Sequence, residues 1–273
     1  MKMMKTAIAF ALATLALNAH AHKPWLLPSS TVVESKDAWV TVDAAISEGL
    51  FDIDHMPLKL DGLVATGPDG AQLKLENVNV GKLRSTFDLH LAKAGTYKVS
   101  LVQQSVIASY KDANGEAKRF RGSEEAFAKE VPANAAELKV SRNYSRLETF
   151  VSTGTPDMAV FKPTGVGLEL VPVTHPNDMR AGEKATWRFL LDGKPAANQA
   201  FSLIPGGVRY RGTLGEIRRN ADANGEATFE LPAAGMYMLT TSWPVAAPSA
   251  QGQPPQMAPR RVSYAATVEI LPQ

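Results

Sequence analysis

Leu91-Ala92-Lys93-Ala94-Gly95-Thr96-Tyr97-Lys98-Val99 and Leu231-Pro232-Ala233-Ala234-Gly235-Met236-Tyr237-Met238-Leu239 are one pattern written twice, with Leu, Ala, Gly and Tyr in register. Each reads as a turn feeding a strand. Outward from the first copy, Phe87, Leu89 and Leu91 alternate with Asp88 and His90, as a strand with one wet face does. Residues 38–44 have the same alternation with β-branched valines, and Gly67-Pro68-Asp69-Gly70 joins Leu63-Val64-Ala65 to Leu73-Lys74-Leu75 as a hairpin turn. Outward from the second copy, residues 185–191 and 201–205 read as strands. The turns Asp192-Gly193-Lys194-Pro195 and Asp222-Ala223-Asn224-Gly225 separate them from their neighbours.

A Gly-x-Tyr at the start of a late strand matches the tyrosine corner of immunoglobulin-like sandwiches, in which the phenol bonds back to the upstream backbone. Simple aromatic packing is the alternative role for Tyr97 and Tyr237. The spread of Gly and Pro at short intervals breaks the chain into short strands. The expected fold is therefore all-β, with two tandem immunoglobulin-like or transthyretin-like β-sandwich domains over residues 22–156 and 157–273. Between the two patterns, Asp112-Ala113-Asn114-Gly115 turns a protruding hairpin, and Ser123 caps one short helix over residues 124–130, closed by Pro132. Residues 138–151 return to strand character, and Gly154-Thr155-Pro156 marks the approach to the domain boundary. Residues 245–259, rich in Pro, Ala and Gln, read as a surface loop before a closing strand over 261–271.

The first 21 residues read as an export signal. Lys2 and Lys5 precede an apolar run at 7–17, and Ala19-His20-Ala21 has the small-x-small form of a cleavage site. The run is too short to span a membrane, and no second long apolar segment follows. Cleavage after Ala21 would start the mature, periplasmic chain at His22. Of the 29 basic residues two lie in the signal, leaving 27 against 27 acidic. Formal neutrality argues against capture of nucleic acid or anionic lipid, which needs a concentrated basic surface. With no cysteine, disulfides, thiolate metal sites and cysteine nucleophiles are excluded, and a transition-metal site must use His, Met, carboxylate or backbone groups.

The signal ending in Ala-His, its Pro24-Trp25-Leu26 continuation, the entry Leu168-Glu169-Leu170-Val171-Pro172 and Asn177-Asp178-Met179-Arg180-Ala181-Gly182-Glu183 carry a resemblance together with the 190–195 and 222–226 turns. Over essentially the whole mature chain the protein resembles the exported family named domain of unknown function 4198. That family is labelled the periplasmic component of a nickel or cobalt transport system. The resemblance implies a divalent metal held by the processed N-terminus and nearby histidines, and a membrane transporter or receptor as partner.

A free α-amino group and imidazole on one residue form a chelate ring, and a second imidazole completes a site suited to Ni(II), Co(II) or Cu(II). His55, His90 and His175 are the partners available to His22. His55 comes first, because Asp52, Asp54 and Met56 surround it. His90 reads as a wet strand residue and His175 as a loop residue. Cleavage after Ala19 would give instead a terminus His20-Ala21-His22, which wraps a metal with amine, amides and the third-position imidazole. The expected metal site is His22 with His55, in a non-catalytic protein. A β-sandwich interaction module binding a protein or glycan is the main alternative. A histidine-brace copper oxygenase is a third, and it needs a second brace histidine and a flat substrate face. No nucleophile elbow, phosphate loop or His-Glu-x-x-His motif is present.

Overall fold

Strand alternation in the first half yields β1 (Lys23–Pro28), β2 (Val32–Val33), β3 (Trp39–Ser47), β4 (Met56–Pro57), β5 (Leu63–Thr66), β6 (Gln72–Leu73), β7 (Glu76–Val80) and β8 (Ser85–His90). These come from a computed structural model that describes residues 22–244 and 257–273. The signal expected at 1–21 and most of the Pro-rich 245–259 stretch therefore lie outside the described residues. The middle section consists of β9 (Gly95–Lys111), β10 (Ala117–Gly122), α1 (Glu124–Glu130) and β11 (Ala136–Thr153). The second half runs β12 (Leu168–Pro172), β13 (Lys184–Leu191), β14 (Lys194–Pro195), β15 (Ala200–Pro205), α2 (Val208–Arg211), β16 (Ile217–Asn220), β17 (Glu226–Glu230), β18 (Gly235–Trp243) and β19 (Arg260–Ile270).

Local chemistry accounts for the punctuation. Ser123 Oγ accepts the Ala126 N–H at 3.2 Å, satisfying an orphan donor of α1, and Glu124 and Glu125 occupy its first turn. The hairpin between β9 and β10 turns on Asp112, whose carboxylate accepts the N–H groups of Asn114 and Glu116. Asp222 does the same for Asn224 and Glu226. Both tyrosine corners form. Tyr97 O–H donates to the Lys93 carbonyl and Tyr237 O–H to the Ala233 carbonyl, each at 2.8 Å and each four residues upstream.

Three sheets result. A five-stranded sheet runs β1-β3-β8-β7 with β4 on β3, and a four-stranded sheet runs β12-β13-β14 with β17 on β13. Between them lies a ten-stranded sheet, β16-β15-β18-β19-β11-β9-β5-β6, to which β10 and β2 attach. The fold is all-β, and its halves share this middle sheet because β11 pairs in parallel with β19 from Arg142↔Arg260 to Thr149↔Thr267. On β11 the period of two divides the work. Leu147 and Val151 enter one core with Val40, Val42, Phe87 and Leu89 of the first sheet, while Phe150 enters the other with Trp187, Phe189 and Phe229 of the third. Residues 146–153 are buried throughout, as a strand covered on both faces must be.

Polar groups pin the same junction. The His175 ring sits in the joint with Nδ1 accepting the Asn177 N–H and Nε2 at 3.0 Å from both the Asp157 carbonyl and Thr96 Oγ1. Asn177 in turn donates to the Thr31 carbonyl and Ser152 Oγ. Nearby, Arg146 lies between Glu148 and Glu169 at 3.5 and 3.4 Å, and Tyr264 O–H donates to Glu148.

Candidate functional site

The site is organised by the end of β3. β1 lies on one side of that strand, with Lys23 opposite Ser47, and β4 lies on the other, with Met56 opposite Ile46. β8 pairs with β3 only as far as Ala44, which leaves the room β4 occupies. His22 is the residue before Lys23 and His55 the residue before Met56, so two neighbours of one strand end carry both histidines to it. Their rings stack with centroids 3.9 Å apart and planes 20° from parallel. The strand pairing thus joins two positions far apart in the sequence.

The loop from β3 to β4 is anchored from below. Leu50 is buried in a small cluster with Trp25, Ala45, Ile204 and Met238, and Phe51 meets the Trp25 ring edge-on at 5.8 Å. Trp25 Nε1 donates to Ser47 Oγ at 2.7 Å, fixing the indole beneath the strand end. Ile204 and Met238 belong to β15 and β18, so the floor of the site comes from the second half of the chain. Phe51 adopts φ of 65°, a conformation a non-glycine residue holds only when its surroundings impose it.

The carboxylates near His55 divide into two roles. Asp54 accepts the backbone N–H groups of Glu48 at 3.2 Å and Gly49 at 3.4 Å, so it shapes the loop. Glu48, absent from the expected set, places Oε1 3.5 Å from His22 Nε2. Sequence spacing could have suggested it only through its register opposite residue 22. Met56 is exposed. Among the described residues no three His, Asp or Glu side chains converge as a preformed metal cage. The chain's own donors at this point are two imidazoles, with a carboxylate against the outer nitrogen of one of them.

The other two histidines are elsewhere. His90 stands at the opposite end of β3, paired with Trp39, a strand length of about 26 Å from Ser47 at the usual rise per residue. It stacks on Trp39 and its Nε2 lies 2.8 Å from Asp37 Oδ1. His175 is buried in the joint between the halves, where desolvation holds its pKa below the usual histidine value of 6.5 against the opposing pull of the Asp157 carbonyl and the Asp157 and Asp178 charges.

Two β-sandwiches sharing one sheet, with a histidine pair at a strand end, define the class of this protein. Residues 19–244 match the family described as Domain of unknown function (DUF4198), and the chain belongs to that family. No curated protein matches it. Among solved structures it is similar to the D0-D1 domain of intimin, at 12% identity over 90% of this chain and 97% of that one, with a TM-score of 0.22. It is likewise similar to a tetra-tandem repeat from the extending region of a large adhesion protein, at 10% identity over 92% of this chain and 74% of that one, with a TM-score of 0.22. At such scores the fold rests on this chain's own strand pairing. No helix among the described residues is long and apolar enough to cross a membrane.

Proposed function

We propose that this is a periplasmic, non-catalytic binding protein that holds a divalent transition-metal ion, nickel or cobalt before copper, at His22 and His55 and presents it to a membrane transporter or receptor. The observation that carries the reading is the meeting of the two imidazoles at the end of β3. The donor set fits such an ion. Imidazole nitrogen suits Ni, Co and Cu, and cleavage after Ala21 adds an α-amino group on the residue that already carries one of the rings. The Nε2 of His22 faces Glu48, which leaves Nδ1, the nitrogen nearer the main chain, on the side where that amine forms. A carboxylate against the outer nitrogen of a ligating histidine is the usual way to fix its ring orientation. The alternative wrap by His20 to His22 needs His20 and Ala21, which lie outside the described residues.

Mass spectrometry of the exported protein, followed by calorimetry with Ni(II), Co(II) and Cu(II), tests the reading. A first residue of His22 is expected. His22→Ala and His55→Ala should each weaken binding by at least about tenfold, and Glu48→Gln by about tenfold as an orienting group does. Equal affinity of the native and His55→Ala chains would remove the proposal.

A further inference from the structure

At the far end of β3 from the histidine pair, the outward face of the five-stranded sheet carries a second constellation. A cleft of about 320 Å³ is lined by Ser29, Trp39, Thr41, Asn77 and Asp88. Trp39 is 41% exposed, whereas Trp25 and Trp187 are fully buried. Its indole is held in place: the ring stacks on His90 at 4.5 Å with planes 11° apart, and Nε1 donates to Asp37 at 3.2 Å. A fixed aromatic surface beside a cleft is an apolar platform whose ordering cost has been met on folding.

The polar wall is equally fixed. The Thr41 O–H donates to Asp88 Oδ1 at 2.6 Å and Asn77 Nδ2 to Asp88 Oδ2 at 2.8 Å. These bonds, the Thr41 bond foremost, hold the Asp88 carboxyl below its ordinary range, so it is ionised at neutral pH. Asn77 reaches it because β7 carries an irregularity between Glu76 and Asn79, and Asn77 itself sits at φ of 48°. A bulge of this kind re-aims a side chain, and asparagine is among the non-glycine residues that hold the left-handed region most readily.

We propose that this cleft binds a neutral pyranose sugar, as a single residue or the end of a glycan chain. A pyranose presents one face of C–H groups, which packs on an indole plane, and a rim of hydroxyls that both donate and accept. Asn77 offers an amide oxygen and a second N–H, Asp88 its remaining lone pairs, and Ser29 a hydroxyl, the mixed set that vicinal hydroxyls require. The volume is at the small end of ligand pockets, sized for a monosaccharide. The sole formal charge lining the cleft is the Asp88 carboxylate, which disfavours phosphate, sulfate or uronate. A quaternary ammonium needs several open ring faces, and here one indole is present with one face covered by His90.

The experiment is calorimetric titration of the exported protein with four neutral tetrasaccharides, built of β-1,4-glucose, α-1,4-glucose, β-1,4-N-acetylglucosamine and β-1,4-galactose, with choline as control. At least one tetrasaccharide should bind with Kd between about 10 μM and 1 mM. Trp39→Ala and Asn77→Ala should each weaken it by at least about fivefold, with unchanged circular dichroism, since both residues are exposed. His22→Ala should leave sugar binding intact, which separates this site from the metal site. The proposal is overturned when no tetrasaccharide binds more tightly than about 1 mM, when both cleft variants bind like the native chain, or when choline binds and the sugars do not.

Discussion

Replacing each corner tyrosine by phenylalanine separates the two sandwiches by a difference the hydrogen bonding predicts. The Tyr97 hydroxyl makes two bonds, donating to the Lys93 carbonyl and accepting the Lys93 N–H, both at 2.8 Å. The Tyr237 hydroxyl makes one, to the Ala233 carbonyl at 2.8 Å. Both side chains are 3% exposed, so the ring burial lost is nil in either case and the hydroxyl alone is compared. At about 1 kcal/mol net per bond, Tyr97→Phe costs about 2 kcal/mol and Tyr237→Phe about 1 kcal/mol. For a chain of this size that is a fall in Tm of about 4–8 °C against about 2–4 °C. Thermal melts followed by circular dichroism, with urea titration as a second probe, read the difference. A Tyr237→Phe chain as destabilised as Tyr97→Phe would refute the two-bonds-against-one reasoning, and two chains indistinguishable from native would refute the hydrogen-bonded corners themselves.

Other consequences follow from the same physical terms. Burial lowers the His175 pKa from 6.5, and its Nδ1 already accepts the Asn177 N–H, so the folded chain resists a proton that the unfolded chain takes up. The contribution is complete above the unfolded value and is lost as pH falls below it, with a ceiling of about 1.4 kcal/mol per pH unit for one proton. Urea midpoints between pH 7.5 and 5.5 should therefore fall more steeply for the native chain than for His175→Gln. Gly225→Ala should be more damaging than Gly115→Ala. Both glycines have φ near +77°, but a Cβ at 225 would lie 2.5 Å from the Phe189 carbonyl oxygen, whereas at 115 it meets nothing within 4 Å. Strain alone costs about 1 kcal/mol, and the backbone collision at 225 brings the loss to about 2 kcal/mol or more in chemical denaturation.

The sequence by itself determined the longer alternating strands and the capped helix, whereas β1, β4, β7, β16 and the helical turn α2 are too short or too weakly patterned to be read along the chain. Alternation of period two, glycine and asparagine turns, the Ser123 cap and the repeated Gly-x-Tyr act over a few residues, through backbone sterics and near-neighbour hydrogen bonds. They can therefore be read along the chain, and the helix at Glu124–Glu130 and both tyrosine corners follow from them. Local composition, with Asp52, Asp54 and Met56 beside it, also marks His55 rather than His90 or His175 as the histidine that meets His22. Glu48, however, becomes visible only when β1 and β3 are laid in register. The tertiary structure alone decided that β11 pairs with β19, so that one strand serves two cores with its two faces. It also decided that Asn77 turns from a bulge toward Asp88 in the cleft that an exposed Trp39 helps to line. The physical reason is the range of the interactions. A strand's pattern states that it has a face to bury, but which distant strand covers that face is settled by packing summed over the whole chain.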